Sequence, residues 1–332
     1  MALTADTEVP TSEEWVRLDM LNKQHVVFDQ LGQPTTINTI QHYTPTECYE
    51  LEFDDGLVIR GDKNLTLHLQ DRTWRNCLTR YMNYPATKKR RGFSRPLVEK
   101  VVSEITELRV GSRINYSVPN CLPVQYPSRD LPVPAYIFGV WFASLTPTNK
   151  MWARDKPIEK MKRIFRGYGH FIKTHRHKNG DVLFDIRPSV RDSFLFAGRD
   201  IPTSIPFYYL DSNVEQRLEL LQGLIDGGLV KKYKKSSLHV ASDANYHLLR
   251  KVQGLVESLG IKTTLNTPYK TKSYALKFRI NQDFAQLNGN FPTIYGKNRR
   301  FVTKITKIPP QPCVHVDTGT QFLVGEGFIP VC

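Results

Sequence analysis

Cysteine is the residue type in this sequence with the strongest capacity for covalent chemistry. The chain of 332 residues contains five cysteines, namely Cys48, Cys77, Cys121, Cys313 and Cys332. Their number is odd and no two form a Cys-x-x-Cys pair, which argues against a disulfide framework or a zinc site. In a reducing compartment they are free thiols, and a thiolate is a strong nucleophile whose pKa can be lowered by its surroundings. We therefore expect a reactive thiol, with no metal and no cofactor.

The chain is strongly basic, with a formal net charge of +14 and an isoelectric point near 9.5. This surplus favours a polyanionic partner such as double-stranded DNA, because neutralised phosphates release counterions. A basic surface with only non-specific affinity is the alternative. Several of the basic residues lie on predicted strands or their loops. The predicted DNA contacts are Lys162, Arg163, Arg166, Lys173, Arg176, Lys178, Lys231, Lys232, Lys234 and Lys235.

Nothing in the sequence points to a membrane. No apolar run approaches the roughly 20 residues that span a bilayer. The first ten residues are mixed and polar, unlike a signal peptide. The sequence predicts a cytoplasmic monomer with no membrane contact, long enough for two domains or for a scaffold with an insertion.

The elements that must position the reactive residues fall into three zones. Residues 2–85 have the short apolar runs and turn residues of a β-rich segment. A proline-rich stretch between Pro119 and Pro134 is typical of a linker. The middle zone alternates strands with predicted helices, and the final zone is β-like again. The predicted helices are Ala135–Ser144, Val214–Ile225 and Asp243–Leu259. This order indicates an insertion into one all-β domain.

The two ends carry a resemblance to a known family. The opening ALTADTEVPTSEEWVRLDML and the closing VTKITKIPPQPCVHVDTGTQFLVGEGFIPVC resemble the first block and the last two blocks of inteins, which are self-excising protein-splicing elements. The closing match is the more specific of the two, and both are most similar to inteins of mycobacterial and mycobacteriophage DnaB-type replicative helicases. The resemblance implies a horseshoe-shaped all-β Hint fold in which both termini meet at one active site.

The resemblance raises the question of which residue is the nucleophile. Most inteins begin with Cys or Ser, whereas Ala2 stands at this N-terminal junction. Cys313 stands in the penultimate block, as in class 3 inteins, and the resemblance implies that it attacks the carbonyl preceding Ala2 to form a branched thioester. The acyl group would pass to the residue after the intein, and cyclisation of an Asn would release the element. A class 1 intein with an engineered Cys-to-Ala change at Ala2 is the alternative, and Cys313 would then be a small buried side chain.

The other implied site positions depart from the family pattern. Asn64 stands where the second block usually has a His, two positions after Asp62. An amide can donate a hydrogen bond to an oxyanion but cannot act as a general acid or base. Trp74 is a candidate for the class 3 Trp, with a core aromatic as the alternative. Cys332 occupies the place of the usual penultimate His, and no Asn follows it. The sequence as given is therefore expected to be a blocked or trimmed form that cannot complete splicing.

The middle zone resembles LAGLIDADG homing endonucleases. LQGLIDGGL at Leu221–Leu229 is close to the motif, and IFGVWFASL at Ile137–Leu145 is a weaker first copy. In that family two such helices pack together and each supplies one carboxylate to divalent metal. The corresponding eighth positions are Ser144 and Gly228, and Asp226 occupies the earlier acidic position. We therefore predict that nuclease activity is absent and that DNA binding persists.

These observations predict a Hint splicing domain interrupted by an α/β LAGLIDADG endonuclease-like domain. The expected boundaries are residues 2–120 for the N-terminal Hint part, 121–134 for the linker, 135–295 for the insertion and 296–332 for the C-terminal Hint part. The expected partners are flanking host segments, or exteins, from a replicative helicase, and DNA. Two alternatives remain: a free-standing DNA-binding LAGLIDADG protein, and an active homing endonuclease.

Overall fold

A computed structural model describes residues 2–82, 97–144, 150–153, 158–176, 182–232, 238–243, 245–266, 273–280 and 299–331. The chain forms two compact units: the first joins Met1–Gln125 to Asn290–Cys332, and the second is Tyr126–Gly289. The boundary between Gln125 and Tyr126 falls inside the segment 121–134, the expected linker. Strands predominate among the described elements.

The first unit is built from short strands and one described α-helix. From the N-terminal segment come β1 Leu3–Thr4, β2 Glu8–Pro10, β3 Trp15–Arg17, β4 Val26–Phe28, β5 Pro34–Thr36, β6 Thr39–Tyr43, β7 Cys48–Phe53, β8 Val58–Asp62, β9 Thr66–Leu69, α1 Arg72–Met82, β10 Val98–Val101, β11 Arg109–Val110, β12 Arg113–Ile114 and β13 Ser117–Pro119. Single 3-10 turns lie at Leu18–Met20 and Val102–Glu104. From the C-terminal segment come β21 Arg299–Ile308, β22 Cys313–Asp317, β23 Phe322–Val324 and β24 Ile329–Val331.

A seven-stranded sheet of order β13-β21-β7-β8-β1-β22-β6 organises this unit. Its described strand pairs are antiparallel, and in β7 buried Leu51 and Phe53 lie on either side of half-buried Glu52, as expected of a strand with one face on a core. Leu51, Phe53, Val302 and Val316 belong to that core. Strands from the two ends of the chain are therefore interleaved in one sheet.

The helix α1 differs from the β-rich expectation for residues 2–85. Its first turn is capped by Asp71, whose Oδ1 accepts a hydrogen bond from the Trp74 N–H at 2.6 Å. An Asp at this position satisfies an amide that the helix leaves without a partner. The β-rich expectation does not hold for this helix, because the strand pattern of the flanking residues gives no sign of the Asp71 cap.

The second unit combines helices with two described sheets. Its elements are α2 Ala135–Ala143, β14 Lys150–Ala153, α3 Ile158–Gly167, β15 Phe171–Arg176, β16 Val182–Arg187, α4 Val190–Phe196, α5 Phe207–Leu210, α6 Val214–Gly227, β17 Val230–Lys232, β18 Leu238–Asp243, α7 Tyr246–Ser258, β19 Thr263–Asn266 and β20 Tyr274–Arg279. The sheet orders are β14-β16-β15 and β17-β18-β20-β19. The predicted helices agree with α2, α6 and α7, whereas α3 and α4 were not predicted. No described helix has the length and apolar character needed to cross a membrane.

Helices α2 and α6 are in very close contact through glycines. A Cβ atom on Gly223 would lie 2.3 Å from the carbonyl oxygen of Tyr136, and one on Gly227 would lie 2.9 Å from that of Val140. The facing residues advance by four along both helices in the same direction, so the helices run parallel. Only glycine allows backbones to approach this closely.

Candidate functional site

The first residues of the chain lie inside the seven-stranded sheet. Strand β1 is held between β8 and β22, with Leu3 opposite Gly61 on one side and Thr4 opposite Cys313 on the other. Ala2 is 1% exposed. A Cβ atom on Gly61 would lie 2.5 Å from the Ala2 carbonyl oxygen, so a glycine is needed for this close approach. The segment around Ala2 is therefore buried beside β22.

Asp62 forms hydrogen bonds with Ala2 through both its backbone and its side chain. The Ala2 N–H donates to Asp62 Oδ1 at 3.0 Å, and the Asp62 N–H donates to the Ala2 carbonyl oxygen at 2.9 Å. The Tyr43 hydroxyl donates to Asp62 Oδ2 at 2.7 Å, and Asn64 Nδ2 lies 3.4 Å from the same oxygen. Asp62 is almost completely buried, and these donors satisfy its carboxylate.

Cys313 lies in a small apolar cluster with Ala2 and Cys48, against which Ile308 packs. Its Sγ is 4.0 Å from the Cys48 Sγ, and the Cys48 sulfur also accepts a hydrogen bond from the Gln311 N–H at 3.4 Å. Burial, together with Cys48 and the nearby carboxylates of Asp62 and Asp6, raises the pKa of Cys313 to about 12. The Cys313 thiol is neutral at ordinary pH, so a nucleophilic attack needs a proton acceptor nearby.

The remaining predicted positions of the splicing site have different surroundings. Asn64 directs its amide toward Asp62. Trp74 is fully buried on α1, where it is a core aromatic side chain. Burial is the largest cause that raises the pKa of Tyr43, followed by its hydrogen bond to Asp62, and this keeps its hydroxyl protonated. Cys332 lies outside the described residues.

The parallel pair α2 and α6 brings the two LAGLIDADG-like segments together. Ser144 caps the end of α2 and donates through Oγ to the Val140 carbonyl at 2.8 Å. Gly228 caps α6 with a positive φ of 96°, a conformation that favours glycine. Because the helices are parallel, both positions lie at the same end of the pair.

Asp226 lies just before the end of α6, and its carboxylate accepts hydrogen bonds from three side chains. Its Oδ2 accepts from the Tyr136 hydroxyl at 2.8 Å and from Lys160 Nζ at 3.0 Å, and its Oδ1 accepts from Gln222 Nε2 at 2.8 Å. The carboxylate is 8% exposed. Within the described part of the chain, no group of three or more His, Cys, Asp and Glu side chains is arranged to hold a metal ion.

The predicted DNA contacts are spread over three elements of the second unit. Lys162, Arg163 and Arg166 lie on helix α3. Lys162 pairs with Glu159 at 3.1 Å. The remaining described members, Lys173 and Arg176 on β15 and Lys231 and Lys232 on β17, do lie on strands. The structure does not describe Lys178, Lys234 and Lys235.

Two groups of residues were missed by the sequence analysis. Tyr43 and Cys48 gave no local signal, because only strand pairing places them beside Cys313. Lys277 and Arg279 on β20 are exposed and alternate with buried Leu276 and Phe278, so strand periodicity alone could have found them. Lys277 and Lys231 both pair with Val240 on the strand between them, which places them in one cross-strand row.

Comparisons with known proteins agree with the resemblance of the end segments. The chain is 25% identical over 356 residues to the replicative DNA helicase DnaB of Mycobacterium intracellulare, an alignment that covers 99% of this chain. The chain resembles DnaB-type inteins. The resemblance spans 58% of the length of that helicase. No protein-family model matches the chain.

Solved structures similar to this chain include two DnaB inteins and a homing endonuclease. The MchDnaB-1 intein is 26% identical, with a TM-score of 0.20, covering 20% of this chain and 52% of the intein. The Msm DnaB1 intein splicing domain, solved with zinc, is 15% identical with a TM-score of 0.23, covering 34% and 72%. Mesophilic variants of the homing endonuclease I-DmoI are 12% identical with a TM-score of 0.32, covering 47% and 92%.

Proposed function

We propose that this chain is a protein-splicing element whose host is a replicative helicase. The observation that carries the proposal is the burial of Ala2 at the start of β1, in one buried cluster with Cys313 of the neighbouring strand β22. A splicing element has to bring its reactive group close to the bond that it cleaves, and a cluster that holds both Ala2 and Cys313 meets this requirement.

The proposed first step is attack by Cys313 Sγ on the carbonyl carbon that precedes Ala2. The carbon–nitrogen bond to Ala2 breaks and a thioester to Cys313 forms, which gives a branched intermediate. The acyl group then passes to a hydroxyl or thiol of the residue after the element, and Asn cyclisation releases it. The enzyme-like activity is thus a single turnover of peptide cleavage and ligation, in the cytoplasm, by a monomer without a cofactor.

A splicing assay tests this proposal directly. The chain is placed between short flanking segments, with Asn after Cys332 and Thr as the next residue, and ligated flanks are quantified. We expect ligation in the parent, none with Cys313→Ala, and ligation retained with Cys77→Ala, a matched loss of a cysteine on α1. Ligation that persists in Cys313→Ala would refute the assignment of Cys313.

The class 1 route is the alternative for the same element. In that route Ala2 replaces a native nucleophile and Cys313 is an accessory residue. Ala2 lies in one buried cluster with Cys48 and Cys313, so a Cys at position 2 would also lie close to buried sulfur. Ligation that begins only after Ala2→Cys would establish this route.

A second proposed function is DNA binding by the unit formed by Tyr126–Gly289, without DNA cleavage. Exposed basic side chains on β17 and β20, including Lys231, Lys277 and Arg279, supply a positive sheet face for a phosphate backbone. Ser144 and Gly228 supply no carboxylate, and Asp226 is already bound to Tyr136, Lys160 and Gln222. A LAGLIDADG-type nuclease needs acidic ligands for its metal.

Binding and cleavage can be separated in one experiment. We expect duplex DNA to shift in an electrophoretic assay with a steep dependence on salt, and supercoiled plasmid to remain intact with Mg²⁺ or Mn²⁺. Metal-dependent nicking would support an active homing endonuclease instead. Absence of any shift at low salt would contradict DNA binding.

A further inference from the structure

The nitrogen of the peptide bond to Ala2 has to leave with an additional proton. An amide nitrogen is a poor leaving group until it is protonated, and the attacking thiol must lose a proton in the same sequence of events. Both needs meet at Asp62, whose Oδ1 accepts the Ala2 N–H at 3.0 Å. Asp62 is also linked to Cys313 through Tyr43, which is the strand partner of Cys313 and donates its hydroxyl to Asp62 Oδ2.

We propose that Asp62 is a catalytic acid–base residue that takes the proton of the Cys313 thiol and delivers it to the Ala2 nitrogen, and that Tyr43 is the residue that positions it. This inference rests on the proposed splicing function. Tyr43 acts only through Asp62, by donating its hydroxyl to Oδ2 at 2.7 Å and leaving Oδ1 directed at the junction.

The step balances with one shared proton. The Cys313 S–H bond breaks and its proton moves to the Asp62 carboxylate while Sγ bonds to the carbonyl carbon. The proton then passes from Asp62 to the Ala2 nitrogen as the carbon–nitrogen bond breaks. The products are a thioester on Cys313, a free amine on Ala2 and a restored carboxylate. Tyr43 keeps its own proton throughout, since burial and its bond to Asp62 raise its pKa.

The geometry assigns this role to Asp62 rather than to Asn64, the residue at the family's His position. Asn64 Nδ2 is directed at Asp62 Oδ2 at 3.4 Å. An amide side chain does not ionise near neutral pH, so it cannot act as a general acid or base. The titratable groups around Asp62 and Cys313 are Tyr43, Cys48 and Asp6. Asp6 is exposed, and it provides a matched carboxylate near the thiol.

The test measures thioester formation in the full chain with a short flanking segment before Ala2. Dithiothreitol releases that segment from the thioester, and the release rate is followed from pH 5 to pH 9. The variants are Asp62→Asn, which keeps an oxygen for the Ala2 N–H, together with Tyr43→Phe, Asp6→Asn and Cys313→Ala. Thermal melting of each variant verifies folding.

We expect Asp62→Asn to slow release by about 100-fold or more, within the range of acid–base catalysis, and Asp6→Asn to stay within about twofold of the parent. We expect Tyr43→Phe to slow release roughly tenfold. The dependence of its release rate on pH should differ from that of the parent, because no hydroxyl then donates to Asp62 Oδ2.

The outcomes separate this inference from the proposed function. Loss of release in Cys313→Ala, with Asp62→Asn within about threefold of the parent, overturns the role of Asp62 and leaves the thioester route standing. Release that survives in Cys313→Ala overturns the proposed route itself. If Asp62→Asn fails to fold, Tyr43→Phe decides, since an unchanged pH profile in that variant refutes the inference.

Discussion

The contact between α2 and α6 makes a strong prediction about two glycines in the same unit. Gly223→Ala would put a Cβ atom 2.3 Å from the Tyr136 carbonyl oxygen, about 1 Å closer than ordinary van der Waals contact. Gly254 lies inside α7, and a Cβ atom there would meet no atom within 4 Å. The same substitution should therefore have opposite effects at the two positions.

The magnitudes follow from packing and from backbone entropy. To relieve the clash, the two helices must separate by about 1 Å, a gap that forfeits a quarter to a half of the dispersion energy across their contact. We expect Gly223→Ala to lower the free energy of unfolding of this unit by on the order of 3 kcal/mol. Gly254→Ala should raise it by about 0.5–1 kcal/mol, because alanine loses less backbone entropy in a helix.

Hydrogen exchange followed by mass spectrometry measures both effects within the unit itself. A local measurement is needed because a chain of two units need not unfold in a single two-state transition. Peptides from Val214–Gly227 should exchange roughly 100-fold faster in Gly223→Ala and more slowly in Gly254→Ala, if exchange reflects opening of the whole unit. Exchange in Gly223→Ala within about threefold of the parent would refute the close parallel packing.

The remaining predictions concern ionisable groups. Because its pKa is raised from an ordinary value near 9 to about 12, Cys313 should react with iodoacetamide at pH 8 about 1000-fold more slowly than an ordinary thiol. Its rate should rise tenfold per pH unit, so a plateau near pH 9 would contradict the burial. The raised pKa of Cys313 also makes the free energy of unfolding depend on pH. Its stabilising contribution is fully present below about pH 9 and is lost as the pH rises toward 12. In urea titrations over that range, the free energy of unfolding should therefore fall more in the parent than in Cys313→Ala. Arg300→Leu should destabilise the first unit by about 3–5 kcal/mol, because it leaves the buried Asp55 carboxylate without its 2.7 Å partner; an unfolding midpoint equal to the parent's would oppose this. Lys277→Glu should lower the slope of log affinity for DNA against log salt by about 1, whereas Lys304→Glu on β21 should not; equal effects would show only a net-charge contribution.

Sequence periodicity was sufficient for the helices with strong caps and buried faces. The apolar spacing of Val214–Ile225 predicted α6, and the structure adds an Asn213 cap and a left-handed Gly228. Helix α3 was missed because its alternating basic residues obscure a narrow apolar stripe formed by Met161 and Phe165. Local pattern therefore works where one face is broad and fails where charged side chains interrupt it.

The sequence by itself determined the types of residue available for chemistry: a cysteine at position 313, an alanine at position 2, and two glycine-containing helices that lack a pair of carboxylates. Only the tertiary structure decided that Asp62, Tyr43 and Cys48 surround Cys313 and Ala2. These residues are separated by up to about 300 positions, and their meeting depends on antiparallel register between β1, β8 and β22. Register is set by the burial of many side chains at once, which a single strand does not encode. The structure likewise determined that the Cys313 thiol is neutral, because burial and neighbouring charges, not residue type, set its pKa.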